Sequence, residues 1–296
     1  MTTAQQRSTL GIGASEIAAA NGISRYDSRY GLWLRKTGRA DEFAGNVHTR
    51  LGNLCEPRIR QLYADATGED VEIPPCSVFH PTVPWARCTP DGRWVSNRRR
   101  KVQIKCTGYF VGRKWKYEIP LEIVAQVQWE MFVDDGDACD IAVLVGSDEL
   151  EWERFVLGHP VDPAEIFARA TLEIFTVYRS DADIAILLDG ARAFWALVES
   201  DTQPPIDGSP ECREHLNSKP GGSIVLDYEP HAAEVEEFRL AYVGGKAAEK
   251  RLETAKNRIR EILGIAEADR ISTPAGPIVW TANKQLRAPE AWTKEI

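Results

Sequence analysis

The sequence offers little sulfur or imidazole chemistry. Its six cysteines, at positions 55, 76, 88, 106, 139 and 212, form no CxxC pair and no zinc-ligand spacing. That argues against a zinc site and leaves reduced, mostly buried thiols as the expectation. The five histidines, His48, His80, His159, His215 and His231, are scattered outside any nucleophile motif, which disfavours Ser/His or Cys/His catalysis. No apolar run approaches membrane-spanning length, and Met1 to Thr9 are polar without the apolar middle of a signal peptide, so a cytoplasmic protein with no membrane partner is expected. Internal repeats and low-complexity tracts are missing. Positive charge is also short: 36 Lys and Arg face 44 Asp and Glu, a net charge of −8. This argues against a protein that coats a polyanion by bulk electrostatics.

What is present is a chain of 296 residues with 43% hydrophobic content, enough for a substantial core. Its organising stretch is Pro90-Asp91-Gly92 followed by Val102-Gln103-Ile104-Lys105-Cys106. The second piece alternates apolar and polar residues, as a strand does, so Gln103 and Lys105 share one face and Val102, Ile104 and Cys106 the other. The Pro and Gly around Asp91 predict a turn that brings its carboxylate back toward that strand. An acid, an amide oxygen and a lysine converging there suit a hard divalent cation beside a fixed positive charge.

Around this stretch the apolar spacing predicts a short helix capped by Ser15, a second capped by Ser28, and an amphipathic helix from 48 to 68 carrying Glu56 near the edge of its buried stripe. Short strands follow at 71–73, 77–80, 85–88 and 93–95. A helix from 121 to 133 places Gln126 toward the sheet, with Gln128 and Glu130 facing elsewhere. Strands at 140–145 and 152–157 complete the sheet, and helices are expected at 163–179 and 181–200. Pro, Gly and Ser enrichment marks 201–230 as a linker between a domain of residues 1–200 and a C-terminal arm of residues 231–296. The arm holds a long helix from Pro230 to about Gly264 and a hairpin at 271–280. Two basic clusters stand out, Arg98-Arg99-Arg100-Lys101, and Arg113, Lys114 and Lys116 interleaved with Tyr109, Phe110, Trp115 and Tyr117. Either the charges bind phosphates and the aromatics stack on bases, or they form a solvated hairpin tip and half-buried rings.

Five pieces in order give the sequence a family likeness: Gly13-Ala14-Ser15-Glu16-Ile17, Leu51-Gly52-Asn53-Leu54-Cys55-Glu56-Pro57, Thr89-Pro90-Asp91-Gly92, Gln103-Ile104-Lys105-Cys106 and Ala125-Gln126-Val127-Gln128-Trp129. Together they cover roughly residues 10 to 160 and resemble the YqaJ-like, lambda-exonuclease branch of the PD-(D/E)XK nucleases. The resemblance implies an α/β fold with a restriction-endonuclease-like core, a mixed central sheet flanked by helices and a helical C-terminal extension. It also implies a metal-dependent exonuclease that degrades one strand of linear double-stranded DNA 5′ to 3′, leaving single-stranded tails for phage-type recombination. Mg²⁺, replaceable by Mn²⁺, would be held by Asp91, residue 103, the Ile104 carbonyl and Glu56, with Lys105 and Gln126 completing the catalytic set. Ser15, Arg7, Arg113 and Lys114 are the DNA-binding candidates. The implied partners are duplex ends, a single-strand annealing protein and two further copies of the chain in a trimeric ring.

One position departs from the family pattern. The second metal-binding acid is expected at 103, where a neutral glutamine stands, so metal affinity and turnover are both expected to fall. Either a natural variant compensates through Glu56 and the DNA, or the glutamine is a deliberate Glu→Gln change that holds DNA uncut. The alternatives are therefore an end-binding protein without catalysis, which would hold duplex ends uncut in Mg²⁺ or Mn²⁺, and an endonuclease of the same core, which would cut a closed circle.

Overall fold

A computed structural model of the chain describes residues 11–41, 45, 47–146, 158–159, 169–218, 229–265, 268–273, 277–281 and 286–288. The α-helices are α1 (Ile17–Ala20), α2 (Arg29–Lys36), α3 (Val47–Thr67), α4 (Tyr109–Gly112), α5 (Leu121–Val133), α6 (Asp181–Glu199), α7 (Pro210–Asn217) and α8 (Ala232–Ile265). The strands are β1 (Val71–Glu72), β2 (Val78–Phe79), β3 (Arg87–Cys88), β4 (Gly92–Trp94), β5 (Arg100–Thr107), β6 (Ala138–Val145), β7 (Thr171–Tyr178), β8 (Arg270–Ile271), β9 (Ile278–Trp280) and β10 (Leu286–Arg287). Two compact units divide the chain, Met1–Pro220 and Gly221–Ile296.

The first unit is built on a five-stranded sheet in the order β1-β4-β5-β6-β7. The β5–β6 pair is parallel and the others antiparallel, so the fold is the expected mixed α/β sheet flanked by helices. The strand alternation of β5 is used on both faces. Val102 and Ile104 join Leu51, Cys55, Ile59 and Tyr63 of α3 in one apolar layer. On the other face α5 contributes Val127 and Met131 to a layer with Cys139, Ile141 and Val143 of β6. A third cluster buries Trp129 of α5 with Tyr30, Leu32 and Trp33 of α2 and Phe194 of α6. Helix α5 is thus apolar nearly all round, as a helix clasped between layers must be.

Local signals account for several boundaries. The Ser28 hydroxyl accepts the Gly31 N–H at 2.8 Å and caps α2 as expected. Ser15 does not cap: it is the middle residue of the 3-10 turn Ala14–Glu16, whose N-cap is Gly13. The Glu16 carboxylate takes the Gly13 N–H at 2.6 Å, and Lys36 holds both Glu16 oxygens at 2.7 and 2.8 Å, so a charged acceptor replaces the hydroxyl. Gly92 is required by close approach, because a Cβ there would collide with Val71 across β1 and β4.

The expected helix at 163–179 is corrected over its second half, since Thr171–Tyr178 forms β7. Its Thr, Ile, Phe, Val and Tyr favour a pleated strand over a helix, and it pairs along its whole length with β6. The expected strand at 152–157 lies outside the described residues. The 201–230 stretch, read as a linker, contains α7, where Ser209 caps at 3.2 Å and Cys212 is buried. In the second unit the long helix is α8, and β8 and β9 pair antiparallel as the expected hairpin does. Among the described residues no helix is long and apolar enough to cross a membrane.

Candidate active site

β4 pairs with β5 only through Gly92–Val102 and Arg93–Lys101. Beyond Val102 that edge of β5 is open, and the Asp91 side chain fills the first vacant place: its Oδ2 accepts the Ile104 backbone N–H at 2.9 Å and the Gln103 side-chain N–H. Arg60 of α3 donates to the Asp91 carbonyl at 3.1 and 3.3 Å and pairs with Glu56 one turn back. The loop carrying Asp91 is therefore tied to β5 and to α3 at once.

A cavity of about 370 Å³ opens at this edge. Its walls include Asp91, Gln103, Ile104, Lys105, Glu56, Gln126, Glu130 and Ser15, with Arg87, Thr89, His48, Thr49 and Asn53 around them. Gln103 and Lys105 do share a face, and Gln126 of α5 lies over both. Lys105 Nζ donates to Gln126 Oε1 at 3.0 Å, Gln126 Nε2 donates to Gln103 Oε1 at 2.9 Å, and Gln103 Nε2 donates to Asp91. Gln126 Nε2 also reaches Glu130 Oε1 at 3.2 Å. An ammonium has no acceptor, so Lys105 sets the direction of every amide in the chain.

Burial pushes the Asp91 carboxyl above its usual range, opposed by the Lys105 charge and by the Ile104 N–H. Glu130 is pushed further, to about 8, chiefly by burial and then by the neighbouring Asp91, with Lys105 and Gln126 opposing. Its side chain is 1% exposed and its Oε2 has no hydrogen-bond partner.

The structure thus brings Asp91, Gln103, Ile104, Lys105, Glu56, Gln126 and Ser15 to one cavity. Arg113 and Lys114 do not line it: they lie in the 3-10 turn Arg113–Lys116, where Arg113 stacks over the Tyr109 and Phe110 rings at 5.7 and 5.2 Å. Arg7 lies outside the described residues. The first basic cluster is spent on structure, because Arg98 pairs with Glu72, Arg99 with Asp135 and Asp137, Arg100 with Asp140 and Lys101 with Asp134. Gln128 faces away, as expected, binding the Tyr178 carbonyl and the Ser180 N–H. Glu130 does not face away. It lies four residues after Gln126 and therefore on the same helical face, a spacing that was available in the sequence but masked by the apolar residues around it.

Residues 5–137 match the family model of the YqaJ-like viral recombinase domain. The uncharacterized protein YqaJ of Bacillus subtilis (strain 168) is 22% identical over 214 residues, which are 71% of this chain and 60% of that protein. A crystal structure of LHK-Exo in complex with dAMP is 22% identical, covers 67% of this chain and 92% of its own, and superposes with a TM-score of 0.50. A second structure of LHK-Exo, an alkaline exonuclease from Laribacter hongkongensis, gives 22% identity, 65% and 89% coverage and a TM-score of 0.49. The dAMP complex and this chain share a fold over the covered part.

Proposed function

We propose that this chain is a metal-dependent DNA exonuclease that shortens one strand of a linear duplex from its 5′ end, leaving 3′ single-stranded tails for recombination. The observation that carries this reading is the Lys105–Gln126–Gln103–Asp91 chain on the wall of one cavity. The match to the YqaJ-like family model and the fold shared with LHK-Exo, whose crystals hold dAMP, support it.

Among the described residues no three His, Cys, Asp or Glu side chains cluster as metal ligands, but the cavity offers the few oxygen donors that Mg²⁺ or Mn²⁺ takes beside water and substrate phosphate. Asp91, Glu56 and the Ile104 carbonyl are hard oxygens, and Glu130, which lines the same cavity, carries a buried carboxylate oxygen with no hydrogen-bond partner. The cation, when bound, supplies Lewis-acid polarisation of the phosphodiester. The protein's own groups do the rest. Asp91 is held in place by the Ile104 N–H and the Gln103 amide. Lys105, fixed by Gln126, presents an ammonium that orients the attacking water and stabilises charge developing on the phosphate oxygens. The exposed hydroxyl of Ser15 lies where a DNA phosphate would enter. In this reading Arg113 and Lys114 contact DNA outside the cavity, and Arg7 is a further DNA contact. Three copies closing around the duplex would keep it from diffusing away, and a single-strand annealing protein would take up the product.

The test is digestion of an end-labelled linear duplex in Mg²⁺, beside a closed circle. The linear duplex is shortened, the circle survives, and Lys105→Ala lowers the rate by about 100-fold or more. A cut circle would establish the endonuclease instead. Ends bound but uncut by both this chain and Gln103→Glu would replace the reading with end binding.

A further inference from the structure

Residue 103 offers a cation no negative charge and only the second lone pair of an oxygen that already accepts from Gln126. Lys105 fixes the Gln126 oxygen, so the Gln126 nitrogen faces the Gln103 oxygen, and the Gln103 nitrogen in turn faces Asp91. Turning the Gln103 amide over would set its oxygen against the Asp91 carboxylate and its nitrogen against that of Gln126. Gln103 therefore braces Asp91, and the cavity lacks a carboxylate on the strand at this position.

A second carboxylate is nonetheless present, on the helix. Glu130 is 1% exposed, lines the same cavity, and uses only Oε1, toward Gln126. Its Oε2 is buried and unpartnered, an acceptor whose missing partner a water or an ion would supply. We propose that Glu130 is a direct ligand of the divalent cation, supplying from α5 the carboxylate that residue 103 lacks on β5. With Asp91 it gives the cavity two carboxylates, within the one or two by which Mg²⁺ is usually held. This rests on the nuclease reading, but it concerns metal uptake and is tested without DNA.

The experiment is Mn²⁺ binding to the full chain, followed by electron paramagnetic resonance and by calorimetry. The proposal expects Glu130→Gln to weaken Mn²⁺ binding by at least about ten-fold. It expects the double variant Gln103→Glu/Glu130→Gln, which moves the acid from helix to strand, to recover most of that loss. Equal Mn²⁺ affinity with Glu or Gln at 130, a double variant no better than Glu130→Gln, or no Mn²⁺ uptake by the parent chain would each overturn it. If Glu130→Gln does not fold, Glu130→Asp, which withdraws the carboxylate by one methylene, is read against the same outcomes. A parent chain that binds Mn²⁺ through Glu130 yet leaves duplex ends intact would sink the nuclease reading alone.

Discussion

His80 lies flat on Phe132, with ring centroids 4.1 Å apart. Burial there, with the nearby Arg179 charge, holds its imidazole below the ordinary value of 6.5. A lowered histidine contributes stability that is intact above the unfolded value and is lost as pH falls through the folded one. The melting temperature should therefore decline as pH drops below about 6.5, and His80→Phe, which keeps the stack, should flatten that part of the profile. An imidazole that titrates in the folded chain at or above its free value would contradict the argument. At this scale the sequence was most legible where backbone periodicity alone aims a side chain. Two-residue spacing put Gln103 and Lys105 together, and a Pro–Gly turn returned Asp91 to them. Glu130 escaped because it sits on a helix whose other faces are also buried, which leaves no polar stripe to mark it. The chemistry of residue 103 was legible only in part. Its neutral side chain could be read, but the side of the amide facing Asp91 depends on Lys105 and Gln126, and Gln126 lies at a distance along the chain.

Elements bounded by strong local signals, such as α2, α3 and α5, follow from caps and apolar spacing. β7 did not, since its half-exposed residues carry no clean alternation and its identity comes from pairing with β6. Long-range pairing overrode a local reading. The close approach of α4 to the sheet was invisible for the same reason. A Cβ at Gly112 would meet the Val145 methyls at 2.6 and 2.7 Å and that of Thr107 at 2.8 Å. Gly112→Ala is expected to cost about 1–3 kcal/mol of stability, measured by urea unfolding. The loss should be largely relieved by Val145→Ala in the same chain, and failure of that rescue would remove the packing explanation. Another such contact ties α3 to the sheet, where the Tyr63 hydroxyl donates to Asp140 at 2.6 Å and accepts from Trp94 at 2.7 Å. Tyr63→Phe leaves both partners short in a buried network and should cost about 1–3 kcal/mol in the same measurement.

For the whole molecule, the balance of charge decides what kind of surface reaches a polyanion. Four consecutive basic residues at 98–101 look in sequence like a phosphate-binding run, yet each is neutralised by an acid of the same unit. Such ion pairs release few counterions when DNA approaches. Replacing Arg98 and Arg99 with Gln should leave the salt dependence of duplex binding unchanged. Replacing Arg113 and Lys114 should reduce the slope of log affinity against log salt by about one for each phosphate left without its cation. A shallower slope from the first pair of changes would return that run to the DNA surface. Sequence spacing could place the acidic partners at 72, 134, 135, 137 and 140 nowhere near these basic residues, because β1, β6 and the turn from α5 into β6 bring them there only when the sheet closes.

The amide chain from Lys105 to Asp91 behaves as a one-way circuit. Each link has a donating end and an accepting end, and neither glutamine can reverse alone without setting like against like, so the wall has one setting rather than several. It spends no reorganisation on choosing between alternatives when a substrate arrives. Methionine at 105, similar in length but without a donor, would free both glutamines to turn, and the wall would hold a mixture of orientations of which only some brace Asp91.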